Sequence, residues 1–131
     1  MTGLTPPTFS KRERIVSRKL IEQLFSKGSS HSTSAFPLRA VYMERTPGES
    51  QEPVQVMVSV SKRHFKRAVK RNRVKRQIRE AYRHNKQLLT DKIPEGKQLA
   101  IAFIWLADEL CDSHQVEKSV RRLLWKVAES V

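Results

Sequence analysis

Residues 54–83, VQVMVSVSKRHFKRAVKRNRVKRQIREAYR, decide the fold, because a two-residue hydrophobic period gives way there to a helical one. Val54, Val56, Val58 and Val60 alternate onto one side of an extended chain, as in a strand with one buried face. From Lys62 to Arg83 the pattern is that of a helix. Val74, Ile78, Ala81 and Tyr82 fall within about one third of its circumference and form an apolar stripe. Asn72, Arg76, Arg79 and Arg83 line up on the opposite side at i, i+4, i+7 and i+11, with Arg73 and Lys75 flanking them. Arg71 lies nearer the apolar edge, where its stem can pack while its head reaches out. One helix therefore carries a face for its own core and a face for anions.

Working outward, the upstream residues Leu20, Ile21, Leu24 and Phe25 make one apolar helix face, with Ser17 as a cap and Gly28 as a stop. Ser29 to Ser34 is polar, a loop or a short edge strand. Ala35 to Met43 reads as a strand in which Phe36, Leu38, Ala40 and Tyr42 point one way, and Pro37, Arg39, Val41 and Met43 the other. Pro37 restricts this strand to an edge or places itself in the first residues. Pro47, Gly48 and Pro53 mark a turn or loop. Downstream, Pro94 and Gly96 place a loop before Leu99 to Leu106, a continuously apolar strand suited to the middle of a sheet. Asp112 or Ser113 caps a last helix whose Val116, Val120, Leu123, Leu124 and Val127 share one face. The order α-β-β-β-α-β-α predicts an α/β two-layer sandwich with helices on one or both faces of a small sheet. Residues 1–10, with Pro6 and Pro7, read as a flexible N-terminal tail, and 11–131 as a single domain.

Charge narrows the function. The chain of 131 residues carries 26 Lys and Arg against 13 Asp and Glu, a formal charge of +13. Eleven of those basic residues and one acid, Glu80, lie between Lys62 and Arg83. Such concentration suits a docking surface for a polyanion, since each neutralised phosphate releases counterions. Arginine dominates the stripe, and its planar fork matches phosphate and stacks on exposed bases. Asn72 adds a donor and an acceptor that can read a base edge or a ribose hydroxyl. The apolar stripe is small and aliphatic, without the bulky wedge a bilayer-surface helix uses, so nucleic acid is expected and a membrane partner is not. A helix that follows a strand suits RNA better than the paired helices of a major-groove reader, so no DNA partner is expected. Cys111 is alone, which excludes an internal disulfide, and the longest apolar run is far shorter than a membrane span. Cytoplasm is the expected compartment.

The run Val58-Ser59-Val60-Ser61-Lys62, then Ala68-Val69-Lys70-Arg71-Asn72-Arg73-Val74-Lys75-Arg76, then Ile78-Arg79, resembles the signature of the bacterial ribonuclease P protein family. The resemblance extends from Lys11-Arg12 and Phe25-Ser26-Lys27-Gly28 through the last helix. It implies an α-β sandwich with a small mixed sheet and a left-handed β-α-β crossover around the signature helix. It implies a partner RNA that is itself the catalyst, uses Mg2+ and cleaves precursor tRNA to release the 5′ leader, with no catalytic residues in the protein; no metal site and no cofactor of the protein's own are assigned from the sequence. Arg71, Asn72, Arg73, Lys75, Arg76 and Arg79 would then face the catalytic RNA. Lys62, Arg63, Arg67 and Arg83 join that RNA-binding set. Ile21, Phe25, Phe36 and Arg39, with Arg12, would lie at the leader cleft. The chain departs from the family pattern at Arg63-His64-Phe65-Lys66-Arg67, one residue longer than usual. It also has Ile21 where an aromatic is common and Arg39 where a Tyr can occur, so charge replaces some stacking.

Other candidates are weaker. His31, His64, His84 and His114 share no helical spacing, so they offer no metal pair. His64 stands among cations, where a plain surface histidine is the simpler reading. Asp108, Glu109 and Asp112 suit the start of a helix without an ion. Ser29 to Ser34 with His31 lacks the strained turn and acid partner of a nucleophile site. Phe25 and Phe36 have ordinary core as the alternative, favoured for Phe36, and Trp105 and Trp125 read as core or core edge. The rivals to a ribonuclease P subunit are a ribosomal-type structural RNA-binding protein and an independent nuclease. The nuclease would need a carboxylate cluster or a histidine pair.

Overall fold

The apolar run near residue 100 becomes the strand around which the other elements are arranged. The structure is a computed structural model describing residues 13–15, 18–26, 30–45 and 52–131. Its elements are α1 (Arg18–Phe25), β1 (His31–Ala35), β2 (Leu38–Arg45), β3 (Val54–Ser59), α2 (Ala68–Asn85), α3 (Gln87–Thr90), β4 (Gln98–Trp105) and α4 (Ser113–Ser130). The sheet order is β1-β2-β4-β3, so β4 lies inside as its apolarity requires. β2 runs antiparallel to β1 and β4, whereas β3 and β4 are parallel neighbours joined through α2 and α3. The expected tail at 1–10, the Ser17 cap, the Gly28 stop, and the loop residues Pro47 and Gly48 lie outside the described residues.

Side-chain size assigns the two sheet faces. Leu99, Ile101, Phe103 and Trp105 of β4 point into the main core, which Val74, Ile78 and Tyr82 of α2 and Val116, Val120, Leu123, Leu124 and Val127 of α4 complete. Burying each such side chain is worth about 1.5–3 kcal/mol. Ala100 and Ala102 point the other way, and their small size lets Leu20 and Leu24 of α1 seat there with Ile15. Asp112 is the cap of α4: its carboxylate accepts from the Gln115 amide at 2.8 Å.

Three expectations need correction. β1, His31–Ala35, is the short edge strand expected within Ser29 to Ser34, but it takes in Ala35, and Phe36–Pro37 is the tight turn into β2 rather than the start of one long strand. That peptide bond is cis. Pro37 still serves the sheet, since its carbonyl accepts from the Leu106 amide at 2.8 Å. The helical reading of 62–83 is too long at its start. Residues 62–67 form a lead-in loop because Phe65 turns into the core, 5% exposed, with its ring 6.5 Å from that of Trp105. Trp125, read as core or core edge, is instead 57% exposed.

Candidate RNA-binding surfaces

With Val74, Ile78, Ala81 and Tyr82 buried, the helical period turns the opposite side of α2 to solvent. Asn72 and Arg76 are exposed, Arg79 and Arg83 half-buried, and together with Arg14 and Glu80 they line a cleft of about 510 Å³. Arg14 comes from residues 13–15, which lie along the edge of β3: the Ile15 amide donates to the Val56 carbonyl at 2.9 Å. Burial, and then the neighbouring Arg14 charge, push the Arg79 guanidinium below its usual value, yet an arginine stays charged. Arg83 donates to Glu80 at 2.7 Å, and that hydrogen bond holds the Glu80 carboxyl below the ordinary carboxylate value against the opposing effect of its burial. Several guanidiniums around one carboxylate make a cleft whose mutual repulsion an entering phosphate relieves.

The flanking cations divide into two groups. Arg73 is exposed and Lys75 half-buried beside the stripe, while Lys62, Arg63 and Arg67 are exposed on the lead-in loop rather than on the helix. Arg71 holds that loop: its guanidinium donates to the Phe65 and Lys66 carbonyls, each at 2.8 Å. Its half-buried head is thus engaged in shaping the approach to α2. His64, expected at the surface, has a side chain only 15% exposed and lies 2.6 Å from Asp108, tying the loop to the chain after β4.

The second candidate surface lies across the sheet. α1 covers Met43, Met57 and the two alanines of β4, leaving the row of Arg39, Ile104 and Ser59 less covered. Arg39 is exposed there, Ile21 is half-buried against the α1-side cluster, and Phe25 is 48% exposed at the end of α1. Arg12 lies outside the described residues. Phe36 is not core, at 69% exposure, and it is not with Ile21 either. It sits on the β1–β2 turn in a groove shared with Lys118 and Arg122 of α4, where Ser119 donates to its carbonyl at 3.0 Å.

Two features were out of reach of pattern reading. Arg14 joins the α2 cleft only through a long-range bridge. Glu13, 5% exposed, meets Lys86 at 3.1 Å through both carboxylate oxygens, a pairing across 73 positions that no local spacing signals. Among the described residues no group of three or more His, Cys, Asp or Glu side chains could hold a metal ion, and no helix is long and apolar enough to cross a membrane.

Comparison with known proteins agrees with this architecture. The ribonuclease P protein component of Porphyromonas gingivalis (strain W83) is 45% identical over 131 aligned positions, covering 97% of this chain and 93% of its own. That of Chlorobium phaeobacteroides is 31% identical, covering 97% and 92%. Two solved structures share the fold at 23% identity: a Staphylococcus aureus RNase P protein mutant with defective mRNA degradation activity (TM-score 0.67, covering 91% of this chain and 90% of its own) and the RNase P protein of Thermotoga maritima (TM-score 0.66, 87% and 96%). The family described as Ribonuclease P matches residues 9–128, and with the arginine cleft and the four-stranded mixed sheet in place, the chain belongs to the ribonuclease P protein family.

Proposed function

We propose that this protein is the RNA-binding subunit of a ribonuclease P ribonucleoprotein, with residues 11–131 acting as one domain in the cytoplasm. Its contribution is binding rather than bond cleavage. The observation that carries the reading is the cleft where Arg76, Arg79 and Arg83 of α2 meet Arg14. These fixed cations neutralise closely spaced phosphates of a folded catalytic RNA, and Asn72 at the same cleft supplies a donor and an acceptor for a base edge or a ribose hydroxyl. Arg73, Lys75, Lys62, Arg63 and Arg67 extend that field, while Arg71 shapes the loop beside it.

Across the sheet, the trough beside α1 takes the single-stranded 5′ leader of precursor tRNA. Arg39 supplies charge, Phe25 a stacking face and Ile21 an apolar wall. Holding leader and catalytic RNA at once raises substrate affinity and presents the scissile bond to the RNA. The magnesium ions belong to the RNA in this reading, and no step is routed through a protein ligand.

A cleavage assay at low magnesium tests the proposal. This protein alone, a bacterial ribonuclease P RNA alone, and the two together are given precursor tRNA. Efficient cutting at the mature 5′ end only by the mixture is the expected result. Cutting by the protein alone would place an active site in it. No gain with a matched RNA would assign the basic helix to some other RNA, as in a ribosomal-type protein.

A further inference from the structure

The outer face of α4 carries features that the two surfaces above leave unused. Lys118, Arg121, Arg122 and Trp125 are all exposed there, at i, i+3, i+4 and i+7, on the side opposite the buried Val116, Val120, Leu123 and Leu124. Among the described residues Lys118 and Arg122 have no ion-pair partner, and Arg121 donates to the Asn85 side chain at 3.3 Å. Trp125 forms one wall of a groove of about 920 Å³ between α4 and the α3 region, facing Leu88 and Lys92. We propose that this face is a second RNA-binding surface, where one unpaired base stacks on Trp125 and the adjoining phosphates lie on Arg122 and Lys118.

The chemistry selects that occupant. A tryptophan left 57% exposed offers a flat π-face, and interleaved cations supply the electrostatic track that single-stranded RNA follows. Arg122 and Lys118 stand about one and two turns before Trp125, so successive phosphates can meet successive cations. Asp91 and Glu129 line the groove itself. Lys92 and Arg121 line it as well, so the groove carries no net charge, and the backbone runs along Arg122 and Lys118 while the base enters. A bilayer is disfavoured, because the large exposed apolar side chains here are scattered, Leu88 beside Trp125 and Phe36 beside Lys118 and Arg122, and Gln115 and Glu129 share the helix face. A second copy is disfavoured by charge, since each chain brings +13 and the face is itself basic. The proposed contacts are distinct from those of the α2 cleft: Lys118, Arg122 and Trp125 line none of it, and the seam between α2 and α4 is bridged by Gln77 donating to the Cys111 carbonyl at 3.0 Å and by His84 lying 3.7 Å from Glu117. The inference rests on the reading that this protein works on RNA, but not on which RNA.

The two tryptophans make the test direct. Trp105 is 1% exposed, so RNA-dependent quenching of fluorescence reports Trp125. Titration of the full chain with a short oligoadenylate should quench the wild type and leave Trp125→Phe unquenched, because Trp105 alone remains. Lys118→Ala/Arg122→Ala, both at exposed positions, should weaken the midpoint about tenfold and flatten its salt dependence by about 1.4, the loss of two single-strand phosphate contacts. Arg76→Ala/Arg79→Ala should leave the midpoint nearly unchanged. Absence of quenching, or quenching removed by the α2 pair and not by the α4 pair, overturns the proposal; so does quenching by anionic vesicles but not by oligoadenylate. If catalytic RNA still binds when quenching is absent, only this inference falls. If neither RNA binds, the subunit reading falls with it.

Discussion

Replacing Arg79 or Arg76 by alanine separates a phosphate-binding role from a structural one, because the two roles predict opposite effects on the free protein. Both line the cleft with Arg14 and Arg83, and Arg79 is half-buried, with the Arg14 charge disfavouring its own. Losing one guanidinium therefore reduces repulsion in the free protein, and the thermal midpoint should hold or rise slightly. The same substitution removes about one phosphate contact from the complex. Each contact contributes about 0.9 to the slope of log K against log salt for a duplex, so each variant should lose about that much slope. Between 50 and 200 mM salt the wild-type advantage should then shrink about 3.5-fold, from about tenfold at the lower concentration. Filter binding of the catalytic RNA across that salt range measures the slope, and a thermal melt of each free variant supplies the control. An unchanged slope in both variants would refute the assignment of this helix face to RNA, and a large fall in thermal midpoint would show that the arginines hold the fold instead.

Four further outcomes follow from other parts of the molecule. Phe25→Ala, at a half-exposed aromatic, should weaken precursor tRNA bearing a leader more than mature tRNA in binding to the reconstituted particle; equal loss for both would remove Phe25 from the leader surface. Phe65→Ala empties a buried site beside Trp105 and should cost about 3–5 kcal/mol in urea denaturation, whereas a loss typical of a surface position would mean the lead-in loop is not anchored there. Asp112→Ala removes the cap bond to Gln115 and should cost about 1 kcal/mol by the same measurement, with Asp112→Asn retaining most of it. Burial, with Asp112 and Glu109 nearby, raises the Cys111 thiol above its ordinary value, so less thiolate is present at any neutral or mildly alkaline pH. Alkylation at about pH 8 should accordingly be slower in the folded chain than in urea, and equal rates would contradict the raised thiol.

What could be read from sequence depended on whether the controlling interaction was local. The apolar stripe of α2, the buried side of α4, the inner position of β4 and the Asp112 cap all follow from spacing, because helix and strand geometry repeat the same offset wherever they occur. The start of α2 did not follow. Lys62 to Arg67 continue a plausible wheel, and what stops the helix short of them is the contact of Phe65 with Trp105, forty positions away. Pro37 was placed in a strand for a similar reason: alternation continues through Phe36 and Leu38, whereas the chain reverses between them. Trp125 lies outside the core although apolar residues before and after it fall on the buried side, because its own offset places it with Arg121 and Arg122. Arg14 has no signal in the chain at all, since only the bridge to Val56 brings it to the arginine cleft.

That bridge also bears on how the proposed reading would hold two RNA ligands together. The sheet separates the α2 cleft from the α1 trough, so neither surface occludes the other. Residues 13–15 lie along the β3 edge and touch both sides: Arg14 lines the cleft, while Ile15 packs with Leu20 and Leu24 beneath the trough. Glu13 fastens the same segment to Lys86 at the end of α2. In the proposed reading, a strand edge that would otherwise expose unpaired backbone groups connects the two RNA-binding faces, so that edge protection and function coincide. Displacing the segment would withdraw an arginine from one surface and support from the other. The two proposed RNA surfaces are thereby linked through three residues, although the α2 stripe and the α1 trough lie on opposite faces of the sheet.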